Sequence, residues 1–303
     1  MIDPQPEFRP IAGEAEQMDL GLRRILAPNP SPMTYKGTNT YLLGQTTLAV
    51  IDPGPDDDAH LSAILTACDG AQLSHIIVTH AHLDHSPLAR RLAIQTGAPI
   101  VGFGPADAGR SDLMQQLAVS GELGGGEGVD EEFAPDLLVK DGDVIETADW
   151  ALKVLHTPGH MSNHISLAWG DTLFSGDLVM GWASSLVSPP DGDLTAFMAS
   201  LHRLAQNEWR VFHSGHGAPV TAPNARISEL VRHRLSREEA ILSGVRKAPT
   251  TAEALAREIY IATPPALLGA ATRNVLAHLI DLTKRKLIKP QGVLSRHCIF
   301  HSL

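Results

Sequence analysis

Residues 79–85 read Thr-His-Ala-His-Leu-Asp-His, which places three histidines and one aspartate within six positions. Imidazole and carboxylate groups are good ligands for borderline divalent metals such as zinc. A cluster of this density in one short segment is not typical of histidines that only pack in a core. The sequence therefore predicts a metal site, with His80, His82, Asp84 and His85 as candidate ligands.

Hydrophobic periodicity predicts short strands and helices on both sides of this segment. Strands are expected at 40–43, 47–51, 75–78, 98–102, 143–145, 151–155, 165–169, 172–175 and 210–213, and helices at 57–67, 86–96 and 194–204. The glycine-rich residues 121–128 predict a mobile loop. Two runs of strands with interspersed helices indicate two sheets with helices covering their outer faces.

The chain changes character after Pro219. Helices are expected at 224–247, 251–259 and 266–286, and a β-branched segment follows at 287–299. Helices followed by a terminal hairpin are typical of a small winged-helix-like domain. We therefore expect two domains, at 1–220 and 221–303.

Further candidate ligands follow other predicted strands. His160 ends a Thr-Pro-Gly-His motif, Asp177 ends a Ser-Gly-Asp motif, and His216 lies between two glycines. Glycine permits close backbone approach, and loops at strand ends commonly carry functional residues on a rigid scaffold. The segment at 79–85 alone offers too few ligands for two metals, so these three residues complete the candidate set.

Taken in order, these motifs resemble those of the metallo-β-lactamase superfamily, and Asp52 after an early strand matches the first motif of that family. The resemblance implies an α+β fold, an αββα sandwich with a two-metal site at one edge of the sheets. By the same resemblance, His80, His82 and His160 would hold one metal. Asp84, His85 and His216 would hold the second, and Asp177 would bridge them.

The resemblance also implies roles for two residues outside the ligand set. Asp52 would orient ligands from behind, and His164, four residues after His160, would either support the site or face substrate. Zinc is the default metal, and manganese or iron also suits a mixed nitrogen and oxygen ligand set. Two such metals can hold a bridging hydroxide and polarise a carbonyl or phosphoryl oxygen. Asp84 is the candidate catalytic residue that steers its proton.

Two segments, at 157–165 and 176–182, resemble more closely the β-lactamase-like protein 2 group, whose members also carry a winged helix. That group includes an endoribonuclease that acts on single-stranded RNA, together with many bacterial hydrolases. The first hypothesis is therefore a hydrolase of a small carbonyl substrate such as a thioester, lactone or lactam. The alternatives are a ribonuclease for single-stranded RNA and a non-catalytic winged-helix binder of nucleic acid.

The composition of the chain indicates which partners and which cellular setting to expect. Residues 1–220 hold 11 Lys and Arg against 28 Asp and Glu, whereas residues 221–303 hold 13 against 6. This basic tail either has an ordinary solvated face or attracts an anionic partner. No apolar stretch approaches the roughly 20 residues needed to span a bilayer, so no membrane partner is expected. Only Cys68 and Cys298 are present, which favours a reducing, cytoplasmic setting.

Overall fold

The computed structural model describes residues 3–303, which form two β-sheets, flanking helices and a C-terminal helical unit. The first sheet contains β1 to β7 in sequence order: Ala15–Asp19, Leu22–Leu26, Asn39–Leu43, Thr47–Ile51, Gln72–Ile77, Ile100–Gly102 and Leu137–Leu138. The second sheet contains β8 to β12 in the spatial order β12-β11-β10-β9-β8: Val144–Glu146, Ala151–His156, Ile165–Trp169, Thr172–Gly176 and Val211–Ser214. This arrangement confirms the predicted pair of sheets.

Seven α-helices accompany the sheets in the described residues. They are α1 to α7: Asp58–Ala67, Leu88–Thr96, Asp112–Ser120, Leu194–Leu204, Pro223–Lys247, Ala252–Ile259 and Leu268–Lys284. Interactions of residues at the helix ends explain where several of these helices begin and end. The Asp57 carboxylate accepts a hydrogen bond from the His60 backbone N–H and begins α1, and Asp193 caps α4 in the same way. Gly97 ends α2 at a φ of +74°, a conformation that glycine adopts without strain.

The central core lies between the two sheets. Leu43, Ile51 and Ile77 of the first sheet pack with Leu167 and Phe174 of the second. The outer face of the first sheet is covered by α1 and α2, and the outer face of the second by α4 and α5. These layers form the expected αββα sandwich, whose inner residues alternate with outer ones along each strand.

The C-terminal unit consists of α5, α6, α7 and a hairpin of β13 (Ile288–Pro290) and β14 (Phe300–Ser302). The winged-helix arrangement agrees with the prediction, but two bounds differ. The third helix begins later than expected because Pro264 and Pro265 favour a separate 3-10 turn at Pro265–Leu267. It also ends earlier, at Lys284, and Lys286 takes a left-handed φ of +58°.

The C-terminal unit is not separated from the sandwich by a solvated gap. Ile227 and Leu230 of α5 share an apolar cluster with Phe197 of α4. Met114 of α3, a helix that the sequence patterns did not predict, packs against Val275 of α7. The sequence patterns also did not predict the strands β1, β2 and β7. β1 and β7 are short and largely exposed and carry no alternation of apolar residues. No helix within residues 3–303 is both long and apolar enough to cross a membrane.

Candidate metal centre

The candidate ligands lie at one edge of the sandwich because the strands that precede them end there. β4 and β5 run parallel, as do β11 and β12, so their carboxyl ends meet at the same edge. The segment at 79–85 follows β5, and Asp177 and His216 follow β11 and β12. His160 follows β9 through a turn at Pro158 and Gly159. All seven predicted ligands are thereby brought together.

The first ligand cluster consists of three imidazoles. His82 Nδ1 lies 3.0 Å from His80 Nε2 and 3.1 Å from His160 Nε2. The three nitrogens converge on one space, and they cannot all form hydrogen bonds with one another. Nitrogens that bind one zinc tetrahedrally at about 2.0–2.1 Å lie about 3.3 Å apart, so these separations are close to those of a metal site.

The second ligand cluster contains a carboxylate. His216 Nε2 lies 3.1 Å from Asp84 Oδ2 and 3.3 Å from His85 Nε2. The two imidazole nitrogens face each other, which is repulsive when both carry lone pairs and neither has a proton or a cation between them. Asp84 is the more accessible member, with 27% of its side chain exposed, whereas both histidines are buried.

Asp177 lies between the two clusters. Its Oδ2 is 3.3 Å from His216 Nε2 and 3.7 Å from His160 Nε2, and its Oδ1 is 3.5 Å from His85 Nε2. Oδ1 is buried and has no hydrogen-bond partner, which is costly for a carboxylate unless a cation is bound. A Cβ atom at Gly215 would collide with this oxygen and lie 2.6 Å from His85 Cε1, so glycine keeps this space open.

The outer nitrogens of the candidate ligands are held by fixed acceptors. His160 Nδ1 donates to the Leu186 carbonyl at 2.7 Å, and His216 Nδ1 donates to the Gly37 carbonyl at 3.1 Å. His85 Nδ1 donates to the Asp52 carboxylate at 3.0 Å. Each of these bonds keeps a proton on Nδ1, so that Nε2 is the ring nitrogen directed into the cluster.

Asp52 also fixes the start of the ligand segment. Its carboxylate accepts hydrogen bonds from the Thr79 backbone N–H at 2.7 Å and from Thr79 Oγ1 at 2.8 Å. Thr79 Oγ1 in turn lies 3.0 Å from His80 Nδ1. Asp52 is buried at a φ of +51°, which is uncommon for a non-glycine residue. It therefore lies behind the candidate ligands, and the orienting role that the resemblance implies for it stays a prediction.

His164 lies behind Asp177 and is fully buried. Its Nε2 accepts a hydrogen bond from the Asp177 backbone N–H at 3.2 Å, and its Nδ1 lies 2.9 Å from Thr157 Oγ1. Of the two alternatives raised by the sequence, this position favours a support for Asp177 over a contact with substrate, and the role stays a prediction. It is not among the residues that line the two cavities described below.

Burial and charge divide the imidazoles into two sets. Burial lowers the pKa of His82 to about 3 and shifts the pKa of His80 and His160 downward, so the first cluster is neutral. Burial also opposes the charge on His216, but Asp177 and Asp84 outweigh it and raise its pKa to about 10. The same carboxylates raise the pKa of His85 well above its usual value. Positive charge is therefore strongly favoured beside these carboxylates.

Two cavities meet at the ligands. The first has a volume of about 410 Å³ and the second about 220 Å³. Met33, His160, Asp177 and Leu186 line both. Neither is lined by a lysine or an arginine within the described residues, and the first adds the carboxylates of Asp84, Glu127 and Asp191.

The C-terminal unit forms hydrogen bonds with the segment at 185–187, whose Leu186 carbonyl orients His160. The sequence did not predict these contacts. Buried Arg234 of α5 donates to the Ser185 carbonyl and, at 2.9 Å, to Asn274 Oδ1 of α7. Asn274 Oδ1 also accepts from the Val187 backbone N–H at 3.0 Å. These bonds flank the Leu186 carbonyl. No local motif marks Arg234 or Asn274, so the sequence offered no signal for them.

The donor set fits divalent cations. Three groups of side chains have ligand atoms close enough to share an ion: His80 with His82 and His160, His80 with His85 and Asp177, and Asp84 with His85 and His216. A bound cation would give the buried Asp177 Oδ1 a partner. It would also remove the repulsion between the facing His85 and His216 nitrogens.

The sandwich and this ligand arrangement define the class of protein: the chain belongs to the metallo-beta-lactamase superfamily. The family model for that superfamily matches residues 33–216, and a model for the beta-lactamase associated winged helix domain matches residues 251–293. Within the superfamily, the chain is 32% identical over 275 residues to a beta-lactamase-like protein 2 homolog of Drosophila melanogaster, covering 86% of this chain and 87% of that protein.

Two other relatives are informative. An atrochrysone carboxyl ACP thioesterase of Claviceps purpurea is 27% identical over 270 residues, covering 84% of this chain and 77% of that protein. The crystal structure of a metallo-beta-lactamase family protein from Thermus thermophilus matches with a TM-score of 0.75 and 26% identity, covering 94% of this chain and 99% of that one. The chain is thus a hydrolase of this superfamily, which makes the non-catalytic alternative wrong.

Proposed function

We propose that this hydrolase uses two divalent cations to cleave a small carbonyl substrate, with a thioester as the favoured class and lactones or lactams as its relatives. The observation that carries the proposal is the lining of the two cavities at the ligands, which holds carboxylates but no lysine or arginine. A neutral carbonyl compound suits such a lining, whereas a polyanion requires basic groups along its path. The thioesterase relative from Claviceps purpurea adds support.

In this proposal, His80, His82 and His160 hold one cation, Asp84, His85 and His216 hold the other, and Asp177 contacts both. Two bound cations would supply Lewis-acid polarisation of the carbonyl and lower the pKa of a water molecule at the site. Zinc is the expected metal, and manganese or iron suits the same donors.

The chain's own groups then orient ligands and move the proton. Asp52 and the carbonyls of Leu186 and Gly37 hold three imidazoles in one tautomer. Asp84 is the more accessible member of the second cluster, and its Oδ2 lies 3.1 Å from His216 Nε2, so we assign to its carboxylate the task of steering the proton of the attacking water. Hydrolysis adds water to the acyl carbon and breaks its bond to sulfur, and the proton passes to the departing thiolate, which gives a carboxylic acid and a thiol.

Cleavage of single-stranded RNA is the second candidate raised by the sequence, and it rested on the resemblance to a group that includes an endoribonuclease and on the basic tail. Arg285, in the middle of the Lys284–Lys286 run, forms ion pairs with Glu238 at 2.6 Å and Asp281 at 2.8 Å. These pairs neutralise much of its charge and leave less of it for phosphates. RNA is therefore kept as an outcome of the test.

The experiment assays the metal-loaded protein on a thioester, a lactone and single-stranded RNA, each with a chelated control. We expect chelator-sensitive cleavage of the thioester and none of RNA. His216→Ala should abolish it, and His202→Ala, which removes an exposed histidine of α4, should not. Cleavage of RNA alone would overturn the proposal.

A further inference from the structure

The strap, which is the glycine-rich segment at 121–129, forms part of the wall of the first cavity. Three of its residues line that cavity: Glu127, Gly128 and Val129. The strap also lies along the residues that supply candidate ligands. Leu83 donates its backbone N–H to the Gly128 carbonyl at 2.8 Å, and Val129 forms a β-bridge with His82. A shift of the strap would therefore change the space in front of the candidate metal centre.

The strap gains little rigidity from its own backbone. Five of its nine residues are glycines, and all five have φ angles between +66° and +133°. Glycine loses more conformational freedom on ordering than any other residue. The sequence predicts a mobile loop here for the same reason. Contacts with other segments are therefore needed to keep the strap in one conformation.

The sandwich contacts the strap through the segment at 188–191, which lies between β11 and α4. The Asp191 carboxylate accepts a hydrogen bond from the Gly126 backbone N–H at 2.8 Å. A Cβ atom at Gly125 would lie 2.8 Å from Pro190 Cδ, so glycine allows the two segments to pack closely. Because Asp191 also lines the first cavity, the strap and this segment form adjoining parts of one wall.

The C-terminal unit contacts the strap through Arg273 of α7. Its guanidinium donates to the Leu123 carbonyl at 2.6 Å and lies 3.4 Å from Glu127 Oε2. Its Nε donates to Ser188 Oγ at 2.8 Å. The Leu123 side chain is fully buried and shares an apolar cluster with Val275 of the same helix. Arg273 lines neither cavity, so it connects the two parts of the wall from behind.

The two hydrogen bonds of Arg273 contribute more to this connection than its ion pair does. The Arg273 side chain is only 14% exposed, whereas the Glu127 side chain is 72% exposed. A pair with so exposed a partner contributes little to stability. The bonds to the buried Leu123 residue and to Ser188 are charge-assisted and less accessible to water. They also require the planar, branched group of arginine, because a lysine is a single point charge.

We propose that Arg273 is a positioning residue for substrate binding: it fixes the strap against the segment at 188–191 and thereby shapes the first cavity. The C-terminal unit supplies no candidate ligand, yet through this residue it determines the space in front of them. The role extends beyond the proposed function, because it applies to any substrate that binds in this cavity. Without the guanidinium, the strap leaves its position for part of the time. The apparent affinity for substrate then falls in proportion to the population of the conformation described here.

The first test observes the strap without catalysis, by hydrogen exchange of the metal-loaded protein read by mass spectrometry. Arg273→Met keeps the apolar stem and removes the guanidinium. Peptides from 121–129 should exchange about 10-fold faster in this variant, as expected for the loss of one charge-assisted hydrogen bond. Peptides from β9 and β10 should exchange as in the wild type. Arg257→Met is the matched control, because Arg257 forms an exposed ion pair with Glu253 within α6. It should leave exchange in the strap unchanged.

The second test measures kinetics on the substrate that the wild type cleaves among the thioester, the lactone and RNA. Arg273→Met should raise KM about 10-fold and leave kcat and metal affinity within about twofold of the wild type. A residue that only stabilises the fold would instead lower the active fraction, and hence kcat, without raising KM. Arg273→Lys keeps a charge but loses the branched group, so its exchange rates and KM should be intermediate. This variant carries both tests if Arg273→Met does not fold.

The outcomes distinguish this role from the proposed function. Wild-type exchange rates in the strap of Arg273→Met would overturn the role of Arg273, whatever substrate is cleaved. Faster exchange with an unchanged KM would overturn it as well, and the proposed function would stand if the substrate is a thioester. If the wild type cleaves only RNA, the proposed function fails. A rise of about 10-fold in KM for RNA in Arg273→Met would then still support the role of Arg273.

Discussion

The two sides of the candidate site are built differently. On the sandwich side, strand ends supply the ligands, and carboxylates or backbone carbonyls fix their rings at 2.7–3.1 Å. On the C-terminal side, helices supply apolar residues such as Leu267 and Ala270 to the wall of the second cavity, the one of about 220 Å³. The candidate ligands therefore all belong to the sandwich, whereas the C-terminal unit contributes only to the walls around them.

The division is not complete, since Arg234 and Asn274 reach back to the segment that orients His160. The apolar clusters also continue from one unit into the other. Removal of residues 221–303 would uncover buried side chains of α3 and α4. A truncation would therefore not separate a role in catalysis from a role in folding, and point substitutions are the better test.

The largest effect is expected for the residue that connects the two sides. Arg234→Ala should lower the free energy of unfolding by about 3 kcal/mol, because it leaves a cavity and an unpaired Ser185 carbonyl. Denaturant titration measures this loss. Metal affinity should fall as well, through the neighbouring Leu186 carbonyl and His160. Unchanged metal affinity in the folded variant would mean that the sandwich orients His160 alone.

The next effect tests the sandwich side. Asp52→Asn should weaken metal binding by roughly 10- to 100-fold, as is usual when a group behind a ligating histidine is altered. Competition with a chromophoric chelator provides the measurement. Asp149→Asn is the control, because Asp149 is also a carboxylate that accepts backbone hydrogen bonds but lies on the surface. Equal affinities in wild type and Asp52→Asn would show that the Asp52–His85 bond does not support the metal.

A fall in pH should destabilise both the sandwich and the C-terminal unit, because each contains a buried histidine whose pKa is lowered in the folded protein. Burial lowers the pKa of His60 in the sandwich to about 4 and that of His278 in α7 to about 3. Below about pH 6.5 the unfolded chain takes up protons that the folded chain does not. Stability is therefore complete above that pH and declines by about 1.4 kcal/mol per pH unit for each group as the pH falls toward its folded value.

Melting temperature as a function of pH checks this prediction. His278→Leu should make the acid slope shallower, because the proton-accepting group is gone. His297→Leu is the control, since His297 is exposed. An identical slope in the wild type and His278→Leu would contradict the assignment.

The smallest effect concerns the C-terminal unit alone. Gly269 is exposed near the start of α7, and a Cβ there meets no neighbour. Gly269→Ala should raise the free energy of unfolding by about 0.5–1 kcal/mol. If both sides unfold as one unit, calorimetry will show a single shifted transition. A shift in only one of two transitions would show that the units unfold separately.

The sequence predicted those features that depend on residues close together in the chain. Ligand motifs follow strands, so the segment at 79–85, together with His160, Asp177 and His216, indicated both the sandwich and the ligands to be tested. Winged-helix character also followed from helical periodicity after Pro219. The domain boundary at 220 stays a prediction, and the packing of α3 against α7 shows that contacts do not respect it.

What the sequence could not indicate depends on contacts between distant segments. Arg234 lies in a long amphipathic helix, where an arginine is ordinarily solvated. Its burial arises only when α5 packs against α4 and the segment at 185–187. The second cavity is likewise formed by residues as far apart in sequence as Met33 and Ala271. The substrate class and the identity of the metals stay proposals for the same reason.

Leu186 combines two tasks in one residue. Its backbone carbonyl holds His160, while its side chain lines both cavities. A substitution at this position changes the side chain but keeps the carbonyl that every residue possesses. The wall can therefore diversify during evolution without loss of the ligand's orientation, which would allow a lineage to acquire new substrates while its chemistry is preserved.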